Sequence, residues 1–336
     1  MPGAVTLTLE DLHELAVRVL AASNTSLENA TAVAQALVAA EGDGIASHGL
    51  SRLPFYSDQA LSGKVDGRAV PVAIDSAAAL VVIDARFGFA FPAIDLGLKH
   101  GMQRASAEGA AAIAIRNSHH AGVGGYHVER MAEQGFVALG FTNTPGAMAP
   151  WGGFKATFGT NPIAFACPRE SAPPLVVDLS LSRVARGKIM QANRQGVSIP
   201  ADWARDENGQ PTTDPQAALQ GTMEPLGEAK GAALALVVEI LCAALTGSHF
   251  GYEASSFFEA DGPPPGIGQL FLLLRPGGLA GDGFVGRVET LLSYILTQEG
   301  ARLPGSRRLG QRLIAQRDGV SISHSLYQDL IGRAGV

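Results

Sequence analysis

A chain of 336 residues with 46% apolar and 17% charged side chains can bury a large core and lacks the composition of a disordered protein. Its formal net charge of −6 gives no overall basic surface of the kind that nucleic acid demands. Two cysteines, Cys167 and Cys242, lie in apolar runs, are too few for a disulfide framework and match no metal-ligand spacing.

In chain order, the first ten residues show no basic segment followed by an apolar block, so no secretory leader is expected. Thr8 and Asp11 have capping-box spacing, and Leu12, Leu15, Ala16, Val19 and Leu20 then repeat at helical intervals. Ser26 is placed to cap a second helix that ends at Gly42. The segment 43–56 follows, with His48 and Arg52 four residues apart, on one face if the segment is helical. Pro54 either kinks such a helix or sits in the first turn of one starting near Ser51, which would leave His48 on the lead-in turn. From Val70 onward, strands (79–84, 111–115, 136–141, 163–166, 175–177) alternate with helices (91–108, 123–134), which predicts an α/β core. The polar stretch 196–226 reads as an ordered surface loop. A helix over 229–245, a Pro-rich loop, a strand over 269–274, a helix over 284–298 and a short helical tail complete the chain. The apolar run 232–245 is too short to cross a bilayer and contains Glu239. A soluble, cytoplasmic protein without membrane or nucleic-acid partners is expected.

An imidazole beside a fixed guanidinium suits a 2-oxo or 2-imino acid. Arginine clamps the carboxylate in a bidentate pair, and histidine protonates the neighbouring oxygen or nitrogen. A solvated helix face is the plain alternative, and segment 43–56 alone does not decide. The turn 116–126 follows a strand and precedes a helix, where α/β proteins place ligands. If the strand continues through His119 and His120, they point in opposite directions, giving one active-site histidine and one packed or exposed histidine. Gly281, Gly283 and Gly286 have the spacing of a dinucleotide fingerprint. They read as a surface turn, because a loop separates them from the strand before and no strand ending in an acid follows. Gly122 and Gly124 lack the third glycine, His127 standing in its place, so no Rossmann cofactor motif is inferred. The turns 141–146, 150–153 and 158–162 offer backbone N–H groups for phosphate or carboxylate. Asp178 ends a buried strand and needs a partner, for which a histidine is suited. Lys230 opens a long helix against its macrodipole, as a solvated end or as a group placed for phosphate.

Together these segments resemble the second type of malate/L-lactate dehydrogenase, a family unrelated to the Rossmann-fold lactate dehydrogenases. The matching blocks are 43–56, 117–122, 148–153, 159–165, 177–180, Lys230-Gly231 and Leu303-Pro304-Gly305, in family order over nearly the whole chain. The resemblance implies a family-specific, non-Rossmann NAD(P)-binding mixed sheet flanked by helices, spanning 76–283. It implies a second, helical lobe from 1–75 plus 284–336 that contributes the catalytic pair. By the same resemblance His48 is the general acid/base, Arg52 the carboxylate clamp, His120 a lining of the substrate and nicotinamide, and Asp178 the support of the catalytic histidine. Ser47, Tyr56 and Thr160 join Arg52 at the substrate. Cofactor contacts fall on His120, Thr142, Asn143, Thr144, Asp178, Leu179, Ser180, Lys230, Pro304 and Gly305. The cofactor is NAD(P)H, with the choice inclining to NADPH, no metal is expected, and the assembly is a homodimer.

The leading expectation is a reductase of a small 2-oxo acid, reversible as a 2-hydroxy-acid dehydrogenase of malate, lactate or sulfolactate type. The alternative is a reductase of cyclic 2-imino acids such as piperideine-2-carboxylate. A metal-dependent hydrolase using His119, His120 and Asp178 is more remote, since no ligand spacing supports it. A non-catalytic ligand-binding protein is the remaining alternative.

Overall fold

Thr8 caps helix α1 (Leu9–Ala21) as its spacing predicts: its hydroxyl accepts the Asp11 N–H at 3.0 Å, and the Asp11 carboxylate accepts the Thr8 N–H in return. In the computed structural model, which describes residues 3–74 and 76–335, strand β1 (Ala4–Leu7) precedes this helix and α2 (Leu27–Gly42), capped by Ser26, follows it. Pro54 occupies the first turn of α3 (Leu53–Ser62), where its missing N–H costs nothing. His48 and Arg52 therefore end two successive 3-10 turns, 46–48 and 50–52, and do not ride one α-helix.

The α/β part begins with β2 (Val72–Ile74), β3 (Leu80–Asp84), α4 (Ala90–Glu108), β4 (Ala110–Ser118), α5 (Gly124–Glu133) and β5 (Val137–Thr142). The hairpin β6 (Ile163–Cys167) and β7 (Leu175–Leu179) comes next, then α6 (Arg186–Gln195). The stretch expected as a loop carries a small two-stranded sheet, β8 (Ala204–Arg205) with β9 (Thr222–Met223), and α7 (Pro215–Gln220) between them. Helix α8 (Ala229–Glu239) runs on through a π-helical turn over 240–244 and precedes β10 (Ile267–Leu274). The short α9 (Gly277–Ala280), α10 (Phe284–Leu296), α11 (Ser306–Asp318), β11 (Val320–Ser323) and α12 (His324–Arg333) close the chain.

Seven strands form one mixed sheet in the order β2-β3-β4-β10-β5-β6-β7. Only β3 and β4 run parallel, and the other pairs are antiparallel. A dinucleotide-binding sheet of the doubly wound kind is parallel, so this is a different architecture. The pleat divides the core. Ala111, Ile113 and Ile115 of β4 and Phe271 and Leu273 of β10 face the cluster under α4 and α5. Leu270 and the partly buried Ala114 and Leu272 face the opposite cluster, with α6 and α8.

A third core joins both ends of the chain. Leu12, Leu15, Val19 and Leu20 of α1 pack with Val33 and Leu37 of α2, with Leu53 and Tyr56 of α3, and with Ile322 and Leu330. Full burial of each such leucine contributes roughly 1.5–3 kcal/mol. The β1–β11 pairing, Leu7 opposite Val320, stitches the two ends together. Helix α10 stands apart from this core: Glu289 pairs with Arg169 at 2.9 Å, against the sheet's outer hairpin. Among the described residues, no helix is long and apolar enough to cross a membrane.

Candidate active site

The turn that carries His48 and Arg52 is built on a buried carboxylate. Glu41, near the end of α2, accepts the Leu50 N–H at 2.7 Å. A side chain at position 49 would put its Cβ 2.0 Å from Glu41 Oε2, so any larger residue would push the carboxylate off the Leu50 N–H. The turn thereby held carries Ser47, His48 and Arg52. The Ser47 hydroxyl lies 3.0 Å from His48 Nδ1, and Arg52 Nε donates to the Ser47 carbonyl at 2.7 Å.

His48 and His120 meet across the turn with ring centroids 5.5 Å apart and planes 29° from parallel. Beneath His120, the Tyr56 hydroxyl shares a 2.6 Å hydrogen bond with Nδ1. Tyr56, expected at the substrate, is fully buried and its hydroxyl is engaged with His120. His119 and His120 do not diverge. Strand β4 ends at Ser118, the alternation ends with it, and both rings pack against Tyr56 and Phe257. His119 Nε2 lies 2.8 Å from Gln59 Oε1; because the Gln59 amide group donates elsewhere, Nε2 carries the hydrogen.

Loss of solvation sets the charge state of this cluster. Burial, with the Arg52 charge second, holds His48 down at about 3. Burial also holds His119 down at about 3 and His120 well below the ordinary imidazole range. The imidazoles are therefore neutral near pH 7, and the guanidinium is the local charge. Its Nη1 is buried without a hydrogen-bond partner, and the Phe258 ring covers one face at 4.7 Å from the guanidinium carbon. A buried, charged donor with no acceptor calls for an anion.

The residues expected at a cofactor form a continuous ridge beyond the turn. Thr160 N–H donates to the Thr144 hydroxyl at 3.0 Å, Leu181 N–H to the Thr160 carbonyl at 2.8 Å, and Leu226 N–H to the Leu181 carbonyl at 2.8 Å. This brings 142–144, 178–180 and the Lys230 end of α8 side by side. Gly305 backs onto the same edge, where its Cβ would lie 3.1 Å from the Val176 carbonyl. Strand β7 is the last in the sheet, so its outer edge offers unpaired backbone groups, and Leu179, Lys230 and Pro304 are exposed. Such a ridge fits an extended, phosphate-bearing dinucleotide.

Several side chains on the ridge are already engaged. Asn143 is wholly buried, donating to Glu239 Oε1 at 3.1 Å and to the His249 carbonyl at 2.8 Å and accepting the Gly268 N–H at 3.0 Å. Thr142 Oγ1 donates to the Asn143 carbonyl at 3.0 Å, and Ser180 Oγ lies 2.5 Å from Ser182 Oγ. The Asn143 side chain is therefore fully engaged within the protein. Asp178, expected beside a histidine, instead accepts the Gly125 N–H at 2.7 Å. The end of β7 meets the first turn of α5, whose free N–H groups attract a carboxylate. Solvent reaches Asp178, yet the protein mass around the cleft raises its pKa. Gln59, Lys64, Glu239, Phe257 and Phe258 were not anticipated. They sit in segments whose spacing carries no motif, and only the fold brings them to the site.

A profile for malate/L-lactate dehydrogenase matches residues 7–331. The chain belongs to this family. It is an NAD(P)-dependent oxidoreductase. It is 52% identical over 302 residues to a (2R)-3-sulfolactate dehydrogenase (NADP(+)) of Chromohalobacter salexigens, covering 90% of each chain. It is 41% identical over 330 residues to a Δ1-pyrroline-2-carboxylate/Δ1-piperideine-2-carboxylate reductase of Pseudomonas aeruginosa, covering 97% of this chain and 98% of that one. The structure of Δ1-piperideine-2-carboxylate reductase from Pseudomonas syringae superposes with a TM-score of 0.93 at 38% identity, covering 98% of this chain and 99% of that chain. Sulfolactate dehydrogenase from Methanocaldococcus jannaschii gives 0.90 at 30% identity, covering 99% and 98%. The family accounts for the non-Rossmann mixed sheet.

Proposed function

We propose that the chain reduces a small 2-oxo acid of lactate, malate or sulfolactate type, with NADPH as the preferred reductant. The observation that carries this reading is the unpartnered Arg52 Nη1 on the same turn as His48, whose ring faces His120. Arg52 receives the substrate carboxylate, with Ser47 and Thr160 at the margin. His48, which takes up a proton as the bound acid offsets the Arg52 charge, delivers it to the C2 oxygen, and the Ser47 hydroxyl at Nδ1 sets the ring's orientation. His120, fixed by Tyr56, closes the opposite wall. Reduced nicotinamide, when bound along the 142–144, 178–180, Lys230 and 304–305 ridge, supplies the hydride for C2. Asp178, at the α5 terminus, lines that ridge. The NADP(+) named for the 52% identical relative supports the choice of NADPH.

A second reading, reduction of a cyclic 2-imino acid by the same groups, is favoured by the aromatic wall of Phe257 and Phe258 beside His120 and Arg52. Turnover of pyruvate, oxaloacetate, sulfopyruvate and Δ1-piperideine-2-carboxylate with each cofactor separates the two. His48→Ala is expected to bind NADPH as wild type does and to lose about 10²–10⁴-fold in turnover. Wild-type turnover in that variant would remove His48 from the mechanism.

A further inference from the structure

The wall facing Arg52 and His120 is an irregular loop, 256–261, and its backbone carbonyls turn inward onto α3. Gln59 Nε2 donates to the Phe257 and Glu259 carbonyls at 2.9 and 3.0 Å. Ser62 Oγ donates to the Ala260 carbonyl at 2.8 Å. Lys64 Nζ donates to the Ser256, Glu259 and Asp261 carbonyls at 2.7, 2.9 and 3.0 Å. Lys64 is 2% exposed, and among the described residues no carboxylate lies within ion-pair distance of it. Three carbonyls use the three donors of this ammonium, and the Glu259 and Asp261 carboxylates attract it from beyond ion-pair distance. The arrangement is a cation held in a carbonyl cage, with the cation supplied by the chain itself.

The loop so held presents two rings to the site. Phe257 lies 5.4 Å from His119 and 4.9 Å from His120, centroid to centroid. Phe258 covers one face of the Arg52 guanidinium at 4.7 Å and meets Phe55 edge-on at 5.5 Å. With that face covered, the guanidinium is left to bind a carboxylate through its N–H edge. We infer that Gln59, Ser62 and Lys64 form a clamp that fixes the aromatic wall of the substrate pocket, with Lys64 as a positioning residue and Phe258 as the face that reads the substrate's side chain. This rests on the reading that a small acid is held at Arg52.

The test uses the full chain with Lys64→Met, which keeps length and removes the donors, and Phe258→Leu, which removes the ring and leaves the clamp. Lys64→Met is expected to speed amide hydrogen exchange at 255–262 and to raise KM for the acid about tenfold, with kcat within about threefold and NADPH affinity unchanged. A general loss of folded protein would lower kcat and leave KM alone. Phe258→Leu is expected to leave exchange unchanged and to shift the kcat/KM ratio of sulfopyruvate to Δ1-piperideine-2-carboxylate by about tenfold. Unchanged exchange at 255–262 in Lys64→Met, or faster exchange with an unchanged KM, overturns the clamp. If Lys64→Met exchanges faster throughout the chain, the Phe258→Leu ratio decides, and an unchanged ratio overturns the assignment. Should wild type reduce none of the acids, the proposed activity fails, and local exchange still reports on the clamp by itself.

Discussion

His48 sits under two influences that a substrate would change. Burial is the larger and the Arg52 charge the second, and together they hold its pKa at about 3 in the free chain. A carboxylate on Arg52 offsets the charge, the smaller of the two causes, and so raises the imidazole pKa while burial continues to hold it down. The sign follows: between the free and the raised pKa the complex holds more protons than the free protein, so anion binding takes up protons there and weakens as pH rises through that window. Calorimetric titration with oxamate, a carboxylate that is not reduced, should give heats that depend on the buffer's ionisation enthalpy. Buffer-independent heats throughout the acid range would show that Arg52 and His48 do not sense the same anion. The residue pattern made the pair legible, because histidine and arginine at that spacing carry a chemistry of their own. Asp178 has a partner other than the histidine expected, because a strand-end carboxylate states its need for a partner without saying which. The winner was a backbone N–H of α5, which no side-chain pattern records.

Among the elements, α11 is held by charge more than by apolar packing. Arg312 Nε and Nη2 reach Asp43 Oδ1 and Glu129 Oε2 at 2.7 and 2.8 Å, and Arg308 Nη2 reaches Glu129 Oε1 at 3.1 Å. Hydrogen bonding to Asp43 is the largest cause that raises the Arg312 pKa. Asp43 and Glu129 are buried, so removing Arg312 leaves two carboxylates to share the Arg308 guanidinium in a poor solvent. Arg312→Met should cost up to about 3 kcal/mol in equilibrium denaturation, below the loss from stripping both cations. A loss near zero would mean that water already solvates the cluster. Asp43 follows α2 directly, so the same contacts fasten α11 to the root of the turn that carries His48. Helices with end signals were readable from residues: Thr8 with Asp11, Ser26 and the Pro54 alternative all describe real termini. The β1–β11 ribbon was not, because each strand is four residues long and their pairing joins opposite ends of the chain. The carbonyl cage around Lys64 left no trace either, since backbone acceptors have no letter in the sequence.

For the molecule as a whole, the outer side of α8 is out of place on a monomer. Leu234, Leu236, Val237 and Ile240 are each between 42% and 51% exposed, on a helix apolar all round. We propose that a second copy covers it, since an uncharged aliphatic face can pair with its own image about a two-fold axis. Sedimentation should give a dimer for wild type and a monomer for a Leu236→Glu, Ile240→Glu variant. A monomeric wild type would sink this proposal.

The place of β10 in the sheet has a consequence for biosynthesis. It lies between β4 and β5, yet it leaves the ribosome more than a hundred residues after both. Until residue 274 emerges, a nascent chain carries two central strands with their inner edges open, each a template for wrong partners. The sheet can close only from a long-range insertion, which is the slow kind of step. Fragments that stop before residue 267 should therefore precipitate or recruit chaperones, whereas truncation after β10 should be the more forgiving cut.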